Sequence, residues 1–152
     1  MCLICDRIRM IRENRNPCFV RELETGYVVI GDHQHFKGYP LFLCKEHQTE
    51  LFHLERETKV RFLEEMSVVA QAVFHAFGAE KMNYELLGNG DTHLHWHLFP
   101  RVEGDLGDDG NDGKGPVWWC PREKMYDPAN CPSDTELEEM KARLSTELDK
   151  LL

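Results

Sequence analysis

Polar and apolar residues alternate from His93 to Leu98, and this alternation is the clearest structural signal in the chain. A period of two is typical of a β-strand with one buried face, and we expect the strand to cover residues 93–101. Such a strand places His93, His95 and His97 on one face, roughly 6–7 Å apart. A row of imidazoles indicates a metal site, a phosphate site or catalysis, because histidine changes its protonation near neutral pH. The apolar residues that point the other way, toward a core, are Leu94, Trp96 and Leu98.

Shorter apolar runs predict further strands over 19–23, 27–30, 41–44 and 83–87. Apolar residues three and four apart predict a helix over 58–78 and a second, C-terminal amphipathic helix from about 134. Ser133 and Glu136 form a capping box at the start of that second helix. The polar segment 8–18 is expected to be a helix or a loop.

Two loops flank the histidine strand. The segment 88–92 is a turn whose backbone N–H groups, with the side chains of Asn89 and Thr92, reach one end of the histidine row. Backbone donors in such a bend can bind an anion. The acidic, glycine-rich segment 103–115 is expected to be flexible, because its carboxylates miss the spacing of a calcium-binding loop. Trp118 and Trp119 follow, and they either pack on the core or close over a ligand.

Cys2 and Cys5 are separated by two residues, the spacing with which two thiolates bind one zinc ion. The pair is half of a site, whose other ligands must come from elsewhere in the chain. A redox pair would follow a strand and open a helix, and nothing in the sequence indicates that context. We expect Cys120 and Cys131 to be free thiols.

Length and charge narrow the class of protein. A chain of 152 residues suits one compact domain. Its net charge of −9 argues against a large nucleic-acid surface, although a local pocket can still bind a small anion. No apolar run is long enough to cross a membrane, and the first residues do not resemble a signal peptide. We therefore expect a cytoplasmic protein with no membrane partner.

The segment from His93 to Phe99 resembles the signature of the histidine triad (HIT) family, in which three histidines alternate with apolar residues and two apolar residues follow. Residues 38–47 are similar to the family's segment Gly-His-x-Leu-apolar-Ile-Pro-Lys-x-His. The cysteine pair, the helix over 58–78 and the segment 115–118 also match bacterial members. The resemblance covers roughly residues 1–120, which leaves 121–152 as a C-terminal extension.

The resemblance implies an α+β fold, with an antiparallel sheet of about five strands packed against helices, usually as a homodimer. Family members hydrolyse or transfer nucleotidyl groups at the α-phosphate of dinucleoside polyphosphates, nucleoside phosphoramidates or similar nucleotides. His95 matches the family's nucleophile, which forms a nucleotidyl-histidine. His97 matches the histidine that binds or protonates the phosphoryl oxygens.

The resemblance also implies ligands for a nucleotide and for zinc. Asp32 would hold the ribose hydroxyls, Trp118 would contact the substrate, and the loop residues Asn89, Gly90 and Thr92 would bind phosphate. Zinc-bearing members complete the cysteine pair with two histidines, so the closed structural zinc site would consist of Cys2, Cys5, His47 and His93.

Some residues depart from the family pattern. Tyr39 stands where many members carry a fourth histidine that orients the nucleophile, and Cys44 stands where many carry proline. The loop over 88–92 is also shorter than usual. Two alternatives stay open at this point: a non-catalytic, zinc-stabilised nucleotide-binding protein, and a metalloenzyme whose zinc is held by His93, His95 and His97.

Overall fold

One antiparallel sheet of five strands forms the centre of the protein, in a computed structural model that describes residues 1–152. The strands are β1 (Phe19–Glu22), β2 (Gly26–Ile30), β3 (Pro40–Cys44), β4 (Lys81–Glu85) and β5 (His95–Arg101). The helices are α1 (Leu3–Arg12), α2 (Arg56–Phe77), α3 (Arg122–Met125) and α4 (Asp134–Leu151). In space the strands follow the order β1-β2-β3-β5-β4, so the histidine strand lies between β3 and the edge strand β4. The α+β prediction is confirmed.

The main core lies between one face of the sheet and the helices α2 and α4. Trp96 and Leu98 of β5 enter this core beside Phe42 of β3, as the alternation predicted. From α4 the buried contacts are Leu137, Leu144 and Leu148, and the predicted capping box at Ser133 is present.

The opposite face of the sheet carries α1 and the histidines. A smaller core packs the isoleucines of α1 against Leu41 and Leu43 of β3. His95 is paired with Leu43, and His97 with Leu41. Because paired residues of antiparallel strands point to the same face, both histidines lie on the side of α1. Helix α1 packs on β2 and β3, which leaves the β5 part of this face to the histidines.

Three sequence predictions are corrected here. The segment 8–18 was expected to be a helix or a loop, and it is divided between the two: helix α1 begins earlier, at Leu3, and ends at Arg12, and loop follows to Cys18. Its buried face consists of Ile4, Ile8 and Ile11, a helical spacing that the sequence contains. Strand β5 begins at His95, so His93 precedes the strand instead of belonging to it. Strand β4 covers 81–85 instead of 83–87.

The acidic segment after β5 makes several contacts in the structure. Leu106 is buried, Asp105 forms an ion pair with Arg101 at 2.7 Å, and Asp109 forms one with Lys124 at 2.8 Å. The flexibility of this segment stays a prediction. No helix of the protein is both long enough and apolar enough to span a membrane.

Candidate active site and zinc site

Four predicted zinc ligands meet where the N-terminus of α1 approaches the start of β5. The ligand atoms of Cys2, Cys5, His47 and His93 all lie within 4.8 Å of one another. Nδ1 of His93 is 3.5 Å from each of the two sulfur atoms, and Nδ1 of His47 is 3.1 Å from Sγ of Cys5. A tetrahedral zinc ion with ordinary bond lengths separates sulfur and nitrogen ligands by roughly 3.5 Å. The cluster is therefore compatible with a structural zinc ion.

A backbone contact fixes how His93 presents its ring. Nε2 of His93 lies 2.7 Å from the carbonyl oxygen of Cys44. A carbonyl oxygen can only accept, so Nε2 carries the proton and the lone pair of Nδ1 faces the two sulfurs. Burial lowers the pKa of His93, which keeps the ring in the neutral form that binds metals.

Asp91 supports the cluster from the neighbouring loop, and the sequence analysis did not identify it. Its carboxylate accepts hydrogen bonds from the backbone N–H groups of Leu3 at 2.7 Å and Ile4 at 3.2 Å. It also accepts one from the thiol of Cys2 at 3.4 Å. Burial opposes ionisation of Asp91, but these hydrogen bonds outweigh it and lower its pKa. Asp91 thus caps α1 although it lies 88 residues away in sequence. Local sequence patterns cannot predict a contact over that separation.

His95 is held by the backbone of its neighbour. Nδ1 of His95 lies 2.6 Å from the carbonyl oxygen of His93. The residue is only 7% exposed, and it lines a cavity of about 350 Å³, a size that suits a small-molecule ligand. The predicted phosphate-binding residues Asn89 and Thr92 line the same cavity.

His97 belongs to a separate aromatic group on the same face. Its Nδ1 lies 2.6 Å from the hydroxyl oxygen of Tyr39, its ring is parallel to that of Phe99, and the edge of Trp118 meets it at 6.2 Å between ring centres. The His95 and His97 rings are 4.8 Å apart. Burial, and then the nearby His95, lowers the pKa of His97 to about 4. His97 is therefore neutral at pH 7.

Tyr39 does not contact His95, the residue that a histidine at position 39 would orient according to the resemblance. The hydroxyl of Tyr39 contacts the third histidine of the row, His97. The second histidine, His95, is oriented by a backbone carbonyl instead. The substitution at position 39 therefore leaves His95 with an orienting partner.

The remaining predicted substrate residues lie outside the cavity lined by His95. Asp32 forms an ion pair with Arg7 through both carboxylate oxygens, one of them at 3.1 Å. Gly90 faces open space, because a Cβ atom there would meet no atom within 4 Å. The indole N–H of Trp118 donates to the carboxylate of Glu85 beside His97.

Comparisons with known proteins find similar folds among solved structures. No protein-family profile and no curated protein matches the sequence. Among solved structures, the chain is similar to a histidine triad protein from Marinobacter aquaeolei VT8, with 24% identity, a TM-score of 0.72, and coverage of 88% of this chain and 90% of that one. A histidine triad protein from Sinorhizobium meliloti 1021 has 23% identity and a TM-score of 0.71, with coverage of 92% and 93%.

A third neighbour bears on the metal. It is a Zn-bound histidine triad family protein from Mycobacterium smegmatis, with 20% identity, a TM-score of 0.66, and coverage of 99% of this chain and 94% of that one. At identities this low the structural similarity establishes the fold alone, over nearly the whole chain. The sequence resemblance and the structural neighbours thus agree, and the chain has the fold of the histidine triad proteins.

Proposed function

We propose that this chain is a histidine triad enzyme that hydrolyses or transfers a nucleotidyl group through a covalent intermediate on His95. The observation that carries the proposal is the contact between Nδ1 of His95 and the carbonyl oxygen of His93. Because the carbonyl only accepts, the proton of the neutral ring is on Nδ1. The lone pair of Nε2 is then available as a nucleophile, and a neutral imidazole is a competent one at pH 7.

The proposed reaction has two displacement steps at phosphorus. In the first, Nε2 of His95 attacks the α-phosphorus of a dinucleoside polyphosphate or a nucleoside phosphoramidate. An N–P bond forms while the bond to the leaving group breaks, and the leaving group departs with the electron pair and takes up a proton from His97. In the second, water attacks the same phosphorus and returns a proton to His97, the N–P bond breaks, and the nucleoside monophosphate leaves as neutral His95 is restored.

The surrounding residues supply the contacts that such a substrate needs. Asn89 and Thr92 line the cavity at His95, and with Gly90 they would donate to phosphate oxygens. His97 would bind or protonate the phosphoryl oxygens beside the nucleophile. Trp118 would contact the nucleoside, and Asp32 would bind the ribose hydroxyls while it also pairs with Arg7.

The four-ligand cluster has a structural role in this proposal. Zinc held by Cys2, Cys5, His47 and His93 has no open position for water, so it would stabilise the fold without activating a nucleophile. His93 would link this zinc site to the proposed nucleophile, because its backbone carbonyl accepts the hydrogen bond from His95. We do not propose a zinc ion shared by the three triad histidines, since both ring nitrogens of His93 already have other neighbours.

Turnover by matched variants tests the proposal. The wild-type protein, assayed on dinucleoside polyphosphates and nucleoside phosphoramidates, should release a nucleoside monophosphate from at least one of them. His95→Ala should lower kcat on the order of 10³-fold or more, while calorimetry still detects binding of a non-hydrolysable analogue. His75→Ala removes an exposed histidine of α2 and should leave turnover unchanged. A wild-type protein that binds the analogue without turnover would instead be a nucleotide-binding protein.

We also propose a cytoplasmic homodimer with a HIT domain over 1–120 and an extension over 121–152, as the resemblance implies. Sedimentation equilibrium should give twice the chain mass of 17.8 kDa. A mass that stays at one chain over the micromolar range contradicts the dimer.

A further inference from the structure

Tyr39 is held rigidly beside the triad. Its ring is stacked on Phe99, with ring centres 4.1 Å apart and planes within 7°. Gly31 also packs against it, and a Cβ atom there would lie 2.5 Å from the ring. The backbone carbonyl of Tyr39 accepts hydrogen bonds from the N–H of Gly31 at 2.9 Å and from the side chain of Gln34 at 2.8 Å. The phenol group is thus fixed in place before any substrate binds.

The direction of the hydrogen bond between Tyr39 and His97 follows from the two groups. Their atoms lie 2.6 Å apart, and the hydroxyl has no other protein partner. A phenol is a stronger acid than a neutral imidazole N–H, and an imidazole nitrogen is a better acceptor than a phenol oxygen. Loss of solvation raises the pKa of Tyr39, so its hydroxyl keeps its proton at neutral pH. The hydroxyl therefore donates to Nδ1 of His97.

We propose that Tyr39 is a positioning residue that fixes His97 in the tautomer with its proton on Nε2. A neutral imidazole that accepts at Nδ1 carries its proton on Nε2. The neighbouring ring has the opposite arrangement, because His95 donates from Nδ1 to a carbonyl oxygen. Two adjacent histidines, 4.8 Å apart, are thus given different tautomers by different partners: a hydroxyl for His97 and a carbonyl for His95.

The catalytic roles that these two tautomers imply rest on the proposed function. The lone pair on Nε2 of His95 suits attack on phosphorus, and the N–H on Nε2 of His97 suits donation to a phosphoryl oxygen or to the leaving group. His97 remains uncharged at pH 7, since burial lowers its pKa to about 4. Without the hydroxyl of Tyr39, His97 would divide between two tautomers, and only one of them donates from Nε2.

Tyr39→Phe tests this proposal because it removes one oxygen atom and keeps the aromatic stack. In 15N-detected NMR of the whole protein, the wild-type His97 ring should show the tautomer protonated on Nε2. The same spectrum of Tyr39→Phe should move toward a mixture of tautomers, while His95 keeps its proton on Nδ1. Tyr84→Phe changes an exposed tyrosine of the edge strand and should leave both rings unchanged. Thermal melting of each variant confirms that it is folded.

Kinetics separate this inference from the proposed function. Tyr39→Phe should lower kcat roughly 10- to 100-fold with little change in KM, since the substrate contacts remain. An unchanged His97 tautomer in Tyr39→Phe, or a wild-type His97 protonated on Nδ1, overturns the inference even if the enzyme is active. A wild-type protein that has the expected tautomers but no turnover overturns the proposed function and leaves the tautomer assignment standing.

Discussion

The carbonyl oxygen of His93 lies 2.6 Å from Nδ1 of His95, while the ring of His93 faces the sulfurs of Cys2 and Cys5 at 3.5 Å. His93 therefore belongs to two sites at once. Its side chain is part of the four-ligand cluster, and its backbone orients the proposed nucleophile. A change at the cluster that moves His93 also moves the group that holds His95.

Removing one ligand of the cluster should lower both the metal content and the stability of the protein. We expect Cys5→Ser to lose bound zinc, as measured by elemental analysis after dialysis, and to unfold at a lower temperature. The physical reason is that zinc binding contributes to the free energy of folding, and the loss of one of four ligands weakens that binding. Cys131→Ser alters another exposed cysteine outside the cluster and serves as the control. Equal zinc content in both variants would contradict the ligand assignment.

Asp91→Asn should destabilise the protein by about 1–2 kcal/mol, because the amide is a weaker acceptor for the N–H groups of Leu3 and Ile4. Urea unfolding at pH 7 measures the change. Asp108→Asn removes the same charge from an exposed residue and should change stability by less than about 0.5 kcal/mol. Equal losses in the two variants would show that net charge is responsible, and the capping role of Asp91 would be wrong.

Glu65 is a buried carboxylate of α2 that anchors the turn between β1 and β2. It accepts hydrogen bonds from the backbone N–H groups of Glu24 and Thr25, each at 2.9 Å, and from the Thr25 hydroxyl. Glu65→Ala leaves these donors without partners and should cost about 3 kcal/mol in the free energy of unfolding. The adjacent and exposed Glu64→Ala is the matched control. Similar unfolding midpoints for the two variants would contradict the role of Glu65 in anchoring this turn.

The low pKa of His97 makes stability depend on pH in a defined direction. An unfolded histidine titrates near 6.5, and the folded ring near pH 4. Between these values the unfolded state binds a proton that the folded state does not, so the free energy of unfolding falls as the pH drops from about 6.5 to about 4. His97→Gln should have a shallower dependence over this range, by up to ~1.4 kcal/mol per pH unit.

Urea unfolding of the wild type and of His97→Gln between pH 4.5 and 7.5 checks this prediction. Metal release at low pH affects both proteins, so the difference between the two curves reports on His97. Parallel curves would mean that His97 titrates normally in the folded protein.

Much of the fold follows from local sequence patterns. The alternation around Trp96 predicted a half-buried strand, and the capping box at Ser133 located the start of α4; both are confirmed. These signals are reliable because each depends on residues that are close in sequence. The start and the buried face of α1 were missed because its apolar stripe lies among charged residues, although Ile4, Ile8 and Ile11 have helical spacing.

The site depends on contacts that no local pattern contains. The strand pattern included His93, but in the structure this residue precedes β5. Its ring contacts the carbonyl of Cys44 and the cysteines of the N-terminal cluster. The partner of Tyr39 follows from the β3–β5 register and the stack on Phe99, both of which join distant parts of the chain. The sequence thus shows which residue types form the site, whereas the contacts that each of them makes can be determined only from the fold.

The most direct test of the proposed nucleophile is the mass of a trapped intermediate. The wild-type protein is mixed with a labelled dinucleoside polyphosphate or nucleoside phosphoramidate, stopped within a turnover under conditions that preserve N–P bonds, and digested for mass spectrometry. We predict a peptide carrying one nucleoside monophosphate on His95, and no such adduct in His95→Ala. An adduct on another residue, or product formation with no adduct on His95 at any time, would contradict the proposed mechanism.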